Sequence, residues 1–513
     1  MTAVDGETAV QASLARGRER ALAPRVTVAL AGAAIAASTV LRFVIGAGQP
    51  LWLDETWTGA IAGTTGFSAF WRQVYLDVNA PLYYLVMHLW QGVFGLSDAS
   101  LRLPSAIFGA AAPLLVAFTG VKGLSRPARL TWAALIALWI PGIWFSGDAR
   151  CYALLLLLTT AQTLAFVRLL HAPDLRRASA WCVLAALAIL THYHAAILVG
   201  LEGLAYLALA RRQAVRTWPA ALAFAPAAVW LAWHLPRIAA FVGPGVAWYP
   251  PLRWNRLGRL ANYVTGAQDL SFALIGVGVV ALALGLMTAR RTQRAPRRPT
   301  VPLWVAVVAA AVGAILVVVM GFLRPSFTDR YLIPFEPGLL LGIALIAQTL
   351  TRRFAWTHAM AVVAVVVVAG LWADRELRHG FRFYNWEVAS QDLMRAKPVR
   401  LVYLWDHPAS RILAADQLER TGGFFFTRAH QPVEVRAVVV RADQDPNPVL
   451  LAQAAAPGSA ILWAYDIGVR GTAAIRHRPR IETLDPSFKC RDYARGSVGV
   501  VACDRAGSVE TRP

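Results

Sequence analysis

Charge is scarce in this chain. Asp, Glu, Lys and Arg make up 15% of 513 residues, and the acids number 29 against 50 bases. Cysteine is scarcer still: there are four, and none of the CxxC spacings that hold metal ions occurs. Cys151 and Cys182 lie in apolar runs, whereas Cys490 and Cys503 lie in a polar tail, where a disulfide suits an oxidising compartment. Internal repeats are missing, and the one biased segment is the arginine-proline connector 290–299.

What is abundant is apolar. A hydrophobic content of 57% and a mean hydropathy of +0.49 place the chain among polytopic membrane proteins. The net charge of +21 does not read as nucleic-acid binding, because the arginines fall in short clusters between apolar runs, with no aromatic-interleaved basic face. Topology explains them more simply.

Runs near the roughly 20 residues a span needs occur at 27–47, 103–121, 128–146, 151–170, 178–192, 194–210, 217–235, 270–289, 302–322, 333–350 and 356–373, eleven in all. The first 26 residues carry Arg16, Arg18, Arg20 and Arg25 without a cleavable-signal pattern, so the first run is expected to stay as an anchor with a cytoplasmic segment before it. The clusters Lys122/Arg126/Arg129, Arg176/Arg177, Arg211/Arg212/Arg216, Arg290/Arg291/Arg294/Arg297/Arg298 and Arg352/Arg353 should all be cytoplasmic. They can be so only if the shorter run 81–96, broken by His88 and Gln91, does not cross. It is therefore expected to lie at the outer interface with Tyr83, Tyr84 and Trp90. That parity puts the loop 48–102, Asp148, His192, Asp329 and everything after Trp372 on the outer face.

The tail 374–513 changes character, with frequent charges, prolines and short apolar strands such as 399–405 and 460–465. It reads as a small extracytoplasmic α/β domain. No glycine-rich phosphate loop follows its first strand, and nothing in it looks catalytic.

The polar residues next to the spans are the candidates for chemistry. Asp54 and Glu55 follow the first span directly, where carboxylates cost solvation energy and are more readily retained for function than for stability. Neighbours diverge on a helix or strand, so one of the two is the candidate general base; the plainer reading is a cap or an exposed loop pair. Asp77 and Asn79 precede Pro81 and either cap the helix it starts or contact substrate. Asp148 and Arg150 form either a local ion pair closing a turn or, with Tyr152, part of an anion site. His192 and His194 interrupt two spans; without a third ligand they read as a polar turn contacting substrate rather than a metal site. Arg330 and Tyr331 stand outside against the charge bias, and Arg330, like Arg102, reads either as a phosphate ligand or as an arginine snorkelling to lipid.

Taken in order, Leu53-Asp54-Glu55, Asp77-x-Asn79-x-Pro81-Leu82-Tyr83-Tyr84, Leu101-Arg102-Leu103-Pro104-Ser105, Asp148-Ala149-Arg150-x-Tyr152, Thr191-His192-Tyr193 and Asp329-Arg330-Tyr331 resemble the bacterial integral-membrane glycosyltransferases of the GT-C type. The resemblance is to the family 39-like members, relatives of protein O-mannosyltransferases and of the lipid A aminoarabinose transferase. It covers roughly residues 27–350 and departs at Asn79-Ala80-Pro81, where many relatives have consecutive prolines, and at Asp148, where many have Glu. The resemblance implies a polyprenyl-phosphate sugar donor, an acceptor glycan, lipid or protein outside the bacterial cytoplasmic membrane, and no essential cofactor, a divalent cation being left open. It also implies Asp54 as catalytic base, Glu55 as its neighbour in the acidic motif, and Arg102, Arg150 and Arg330 as candidates for the lipid phosphate. A transporter or lipid flippase is the alternative of another class, and would call for inverted repeats and charges at the membrane midplane.

Overall fold

The computed structural model describes residues 3–242, 252–266, 280, 300–324, 327–351, 354–379, 386–467, 469, 471–493 and 498–505. The expected span 270–289, the connector 290–299 and the pair Arg352/Arg353 lie outside the described residues.

Apolar sequence without regular polar alternation makes helices here, because a backbone in lipid must satisfy its own hydrogen bonds. Ten helices build the first half: α1 (Ala3–Val44), α2 (Leu53–Ala62), α3 (Phe67–Leu76), α4 (Pro81–Phe94), α5 (Asp98–Phe118), α6 (Arg126–Leu138), α7 (Ile140–Ser146), α8 (Tyr152–His171), α9 (Leu175–Thr191) and α10 (Ala195–Ala210). Among the described residues six helices are long and apolar enough to cross a membrane, seven if the bent pair α6 and α7 is one span. The expected count of eleven is thus only partly matched. Helix α10 and the stretch Thr357–Ala373 are apolar but shorter, and α9 at 17 residues carries Arg176 and Arg177 in its first turn.

Helix α4 has 14 residues, about 21 Å at 1.5 Å per residue, too short for a hydrocarbon core of about 30 Å. Both of its ends sit at one end of the bundle. Tyr83 donates or accepts a hydrogen bond with Ser105 beside Arg150, and Phe94 and Gly95 border the same cleft as Arg420 and Phe424 of the tail. Among the described residues, helix α4 is not one of the helices long and apolar enough to cross a membrane.

The bend between α6 and α7 is 57°, and it is braced by a charge within the first apolar run. A break frees carbonyls that lipid cannot satisfy. Arg42, 1% exposed, donates to the carbonyls of Ile136, Ala137 and Gly142 and to Ser146 Oγ.

The tail forms a five-stranded sheet of β1 (Arg400–Asp406), β2 (Glu434–Val438), β3 (Ser459–Asp466), β4 (Phe488–Asp492) and β5 (Val498–Arg505), in the order β2-β1-β3-β5-β4. Strands β1, β2 and β3 are parallel, while β5 is antiparallel to both β3 and β4. Burial alternates with the pleat: Leu401, Tyr403 and Leu462 face Trp386, Leu418 and Phe424, while Val402, Leu404 and Ile461 face Leu450 and Ile481. Cys490 and Cys503 stand opposite each other on β4 and β5 and are joined in a disulfide.

This domain is fixed to the segment 48–102 of the helical half. Arg428 pairs with Asp98 and with buried Glu387, which also accepts from the Leu51 amide at 2.6 Å. Arg72 pairs with Asp416, and Arg237 donates to the carbonyls of Leu76 and Ile412. Gly59 lets α2 lie against the domain: a Cβ there would sit 2.6 Å from the Phe424 ring.

Candidate active site

The chain turns sharply at Gly48 (φ +70°) and enters α2 through Leu53, so Asp54 and Glu55 fall in the first helical turn and point in different directions. Glu55 points inward and is fully buried. It accepts from Arg102 Nε at 2.7 Å and Arg102 Nη2 at 2.6 Å, from the Ala149 amide at 2.9 Å and from the Trp52 amide at 3.2 Å. Arg102 spends its remaining donors on the carbonyls of Gly46, Gln49 and Pro50. In this structure Glu55 and Arg102, the acidic-motif neighbour and a candidate phosphate ligand, are engaged with each other. Each saturates the other within a buried clamp that fixes the loop 46–55 and the turn at Ala149.

Asp54 points outward, its side chain 29% exposed, and its Oδ2 lies 3.8 Å from Arg150 Nη2 and 3.6 Å from Arg330 Nη1. Three motifs far apart in sequence thus meet at one carboxylate. Arg150 also donates to the Asp54 carbonyl at 3.2 Å, while its Nε is buried without a partner among the described residues. The Arg330 guanidinium stands over the Tyr152 ring at 5.5 Å. His194 stacks on Tyr331 at 3.9 Å, and His192 lies 5.4 Å from Tyr331 and 6.2 Å from Tyr152. Two guanidiniums in an aromatic frame face one carboxylate.

Two expectations change. Asp148 does not close its turn by pairing with Arg150; its Oδ1 accepts from the Trp52 indole at 3.3 Å, and Arg150 turns to Asp54 instead. Neither Asp77 nor Asn79 caps α4, whose N-cap is Ala80 without a side-chain bond. The Asp77 carboxylate instead accepts from Asn79 Nδ2 and from the Tyr84 hydroxyl, and Tyr84 lies within the field of Arg150. Asp77 and Asn79 therefore border the site from the α3–α4 turn. Among the described residues no three of His, Cys, Asp and Glu gather as a metal-ligand cluster.

Sequence reasoning missed a set of residues in the tail. Trp57 on α2 meets Trp405 at the end of β1, ring centroids 5.7 Å apart, which brings Asp406, His407 and Asp466 toward the Asp54 side of α2. No local motif marks them. A hint was present in the Trp405-Asp406-His407 run at a strand end.

No protein-family model matches the chain, and no curated protein matches it. Solved structures do, among them the crystal structure of ArnT from Cupriavidus metallidurans bound to undecaprenyl phosphate and the same protein in the apo state. Each aligns with a TM-score of 0.51 at 16% identity over 94% of this chain, covering 100% of the first and 98% of the second. The likeness includes the tail as well as the helical half, and at this identity it is one of architecture: the chain has the fold of ArnT, a lipid A aminoarabinose transferase of the GT-C type.

Proposed function

We propose that the protein is a glycosyltransferase that moves a sugar from a polyprenyl-phosphate carrier to an acceptor at the outer face of the bacterial cytoplasmic membrane. The observation that carries this reading is Asp54, partly exposed and held between Arg150 and Arg330 at 3.8 and 3.6 Å. The solved structure of the same fold with undecaprenyl phosphate bound supports that donor class.

The chemistry follows from charge. Before donor binding, Asp54 is the anion the two guanidiniums share. A donor phosphate competes for them, and the unpartnered Nε of Arg150 offers it a further donor. Asp54 is then free to act as base. An acceptor hydroxyl or amine attacks the anomeric carbon from the face opposite the phosphate, and its proton passes to Asp54 as the new bond forms. The bond between that carbon and the phosphate oxygen breaks, and the carrier leaves as a phosphate monoester. Arg150 and Arg330 stabilise the charge gained by the leaving oxygen, which is greater in the transition state than in the bound donor. The anomeric configuration is inverted. Tyr152, Tyr331, His192 and His194 frame the guanidiniums and limit water around them. Glu55 and Arg102 hold the scaffold.

The test offers radiolabelled polyprenyl-phosphate mannose, arabinose, glucose and galacturonate in turn to membranes with and without the protein. Transfer dependent on the protein is expected from one of them. Arg150→Ala and Arg330→Ala should weaken use of that donor by about 1.5–3 kcal/mol, roughly ten- to a hundredfold, and more than the corresponding Lys variants do. Unchanged donor use in both Ala variants would leave these arginines as lipid-facing side chains and remove the phosphate site from the account.

A further inference from the structure

The open part of the tail sheet has a switch point. From β1 the chain goes to β2 on one side and then returns to β3 on the other, so a crevice opens between the carboxyl ends of β1 and β3. Ligands of open α/β sheets bind in such crevices. Trp405, Asp406 and His407 stand at this end of β1, and Asp466 closes β3.

The crevice is turned toward the membrane-side site rather than away from it. Trp57, one helical turn beyond Asp54, contacts Trp405 edge to face. Trp405 in turn stacks on His407, centroids 4.4 Å apart and planes within 2°, and His407 Nε2 lies 3.8 Å from Asp466 Oδ2. Asp406 is occupied, accepting the amides of Ala473 and Ala474 at 2.8 and 2.7 Å. Asp466 is different. Its side chain is 25% exposed, and among the described residues no donor is hydrogen-bonded to its carboxylate. The Trp405 indole Nε1 is buried and likewise lacks a partner among the described residues.

We propose that this crevice is the sugar-recognition wall of the Asp54 site, in which Asp466, flanked by His407, hydrogen-bonds a hydroxyl or amino group of a sugar ring lying beside Trp405. The proposal rests on the glycosyltransferase reading above. A carboxylate next to an aromatic face is the pairing that suits a sugar, whose ring offers polar groups at its edge and C–H groups on its faces. Burial, with the charges of Asp54 and then Asp406, raises the Asp466 carboxyl to about 7, so near neutral pH it both donates and accepts. The ring belongs to the donor or to a glycan acceptor, and the chemistry of recognition is the same for both.

The experiment uses the full chain in lipid nanodiscs with the donor identified above. It measures KM for donor, KM for acceptor and the slow hydrolysis of donor without acceptor, for wild type, Asp466→Ala and Asp466→Asn. The Ala variant is expected to raise one KM roughly tenfold, the effect of one lost hydrogen bond, with kcat little changed and the Asn variant intermediate. A rise in donor KM seen also in hydrolysis assigns the ring to the donor; a rise in acceptor KM with hydrolysis unchanged assigns it to the acceptor. If both KM values stay at wild type in Asp466→Ala, with an unchanged thermal melt, the proposal is overturned and the glycosyltransferase reading stands. Should Asp466→Ala fold poorly, Asp466→Asn alone decides: wild-type values for both KM overturn the proposal. Failure of the wild-type protein to use any polyprenyl-phosphate sugar removes both readings.

Discussion

At the scale of single residues, adjacent carboxylates take opposite parts. Glu55 is fully buried and Asp54 is not, because successive residues on α2 diverge and Arg102 lies on the inner side. For folding, the geometry makes Glu55 the more sensitive of the two. Removing one partner of a buried ion pair leaves the other uncompensated, at a cost of about 3–5 kcal/mol. Glu55→Gln should therefore lower the melting temperature by many degrees, while Asp54→Asn leaves it near wild type. Equal melts for the two variants would mean that the clamp does not hold the loop. Asp466 offers a test by pH. Its raised value means that the folded chain binds this proton more tightly than the unfolded chain does, so the stability it contributes is complete below about pH 4 and falls as pH climbs through about 7. Asp54, Asp406, His407 and Tyr403 lie within its field, and Arg411 acts on Asp406 and His407 beside it. Thermal melts between pH 5 and 8 should show a decline in wild type that Asp466→Asn flattens. Parallel curves would place Asp466 in ordinary solvent.

At the scale of elements, the informative cases are the helices that do not simply cross. Helix α4 is read as a non-crossing segment from His88, Gln91 and the arginine parity, and its length of 14 residues is short for a span. Cysteines placed at Thr65, Ala99 and Glu434 should therefore be labelled from one side of the membrane, and one at Arg176 from the other. Native Cys151 and Cys182 are buried and should stay silent. Labelling of Thr65 and Ala99 from opposite sides would make α4 a span and reverse the parity of everything after it. The bend at Trp139 was not legible. Apolar periodicity across 128–146 is continuous, and the signal lay a hundred residues earlier, in Arg42, a charge inside an apolar run that only the freed carbonyls of the bend explain. Local pattern finds elements; it does not find the distant donor that lets one of them break.

For the whole molecule, what the sequence made readable was the order of motifs and the face they share. Asp54, Arg150 and Arg330 were each named from their own short strings, and the structure brings them within 4 Å. The roles of Arg102 and Asp148 were not readable, because a motif states which residue is present and not which partner consumes it. The tail was read as a small α/β domain in which nothing looks catalytic, for a similar reason. Its contribution depends on docking through Glu387, Arg428 and Trp405, contacts that span some 300 residues. The central claim is that Asp54 takes the acceptor's proton while Arg150 and Arg330 hold the leaving phosphate. Its most direct test is transfer from the identified polyprenyl-phosphate sugar by purified Asp54→Asn protein in lipid nanodiscs, with a thermal melt as folding control. An amide keeps the shape of the carboxylate but cannot accept the proton, so the account predicts a wild-type melt with transfer abolished. Near wild-type turnover in a folded Asp54→Asn protein would contradict it and move the role of base to Asp77.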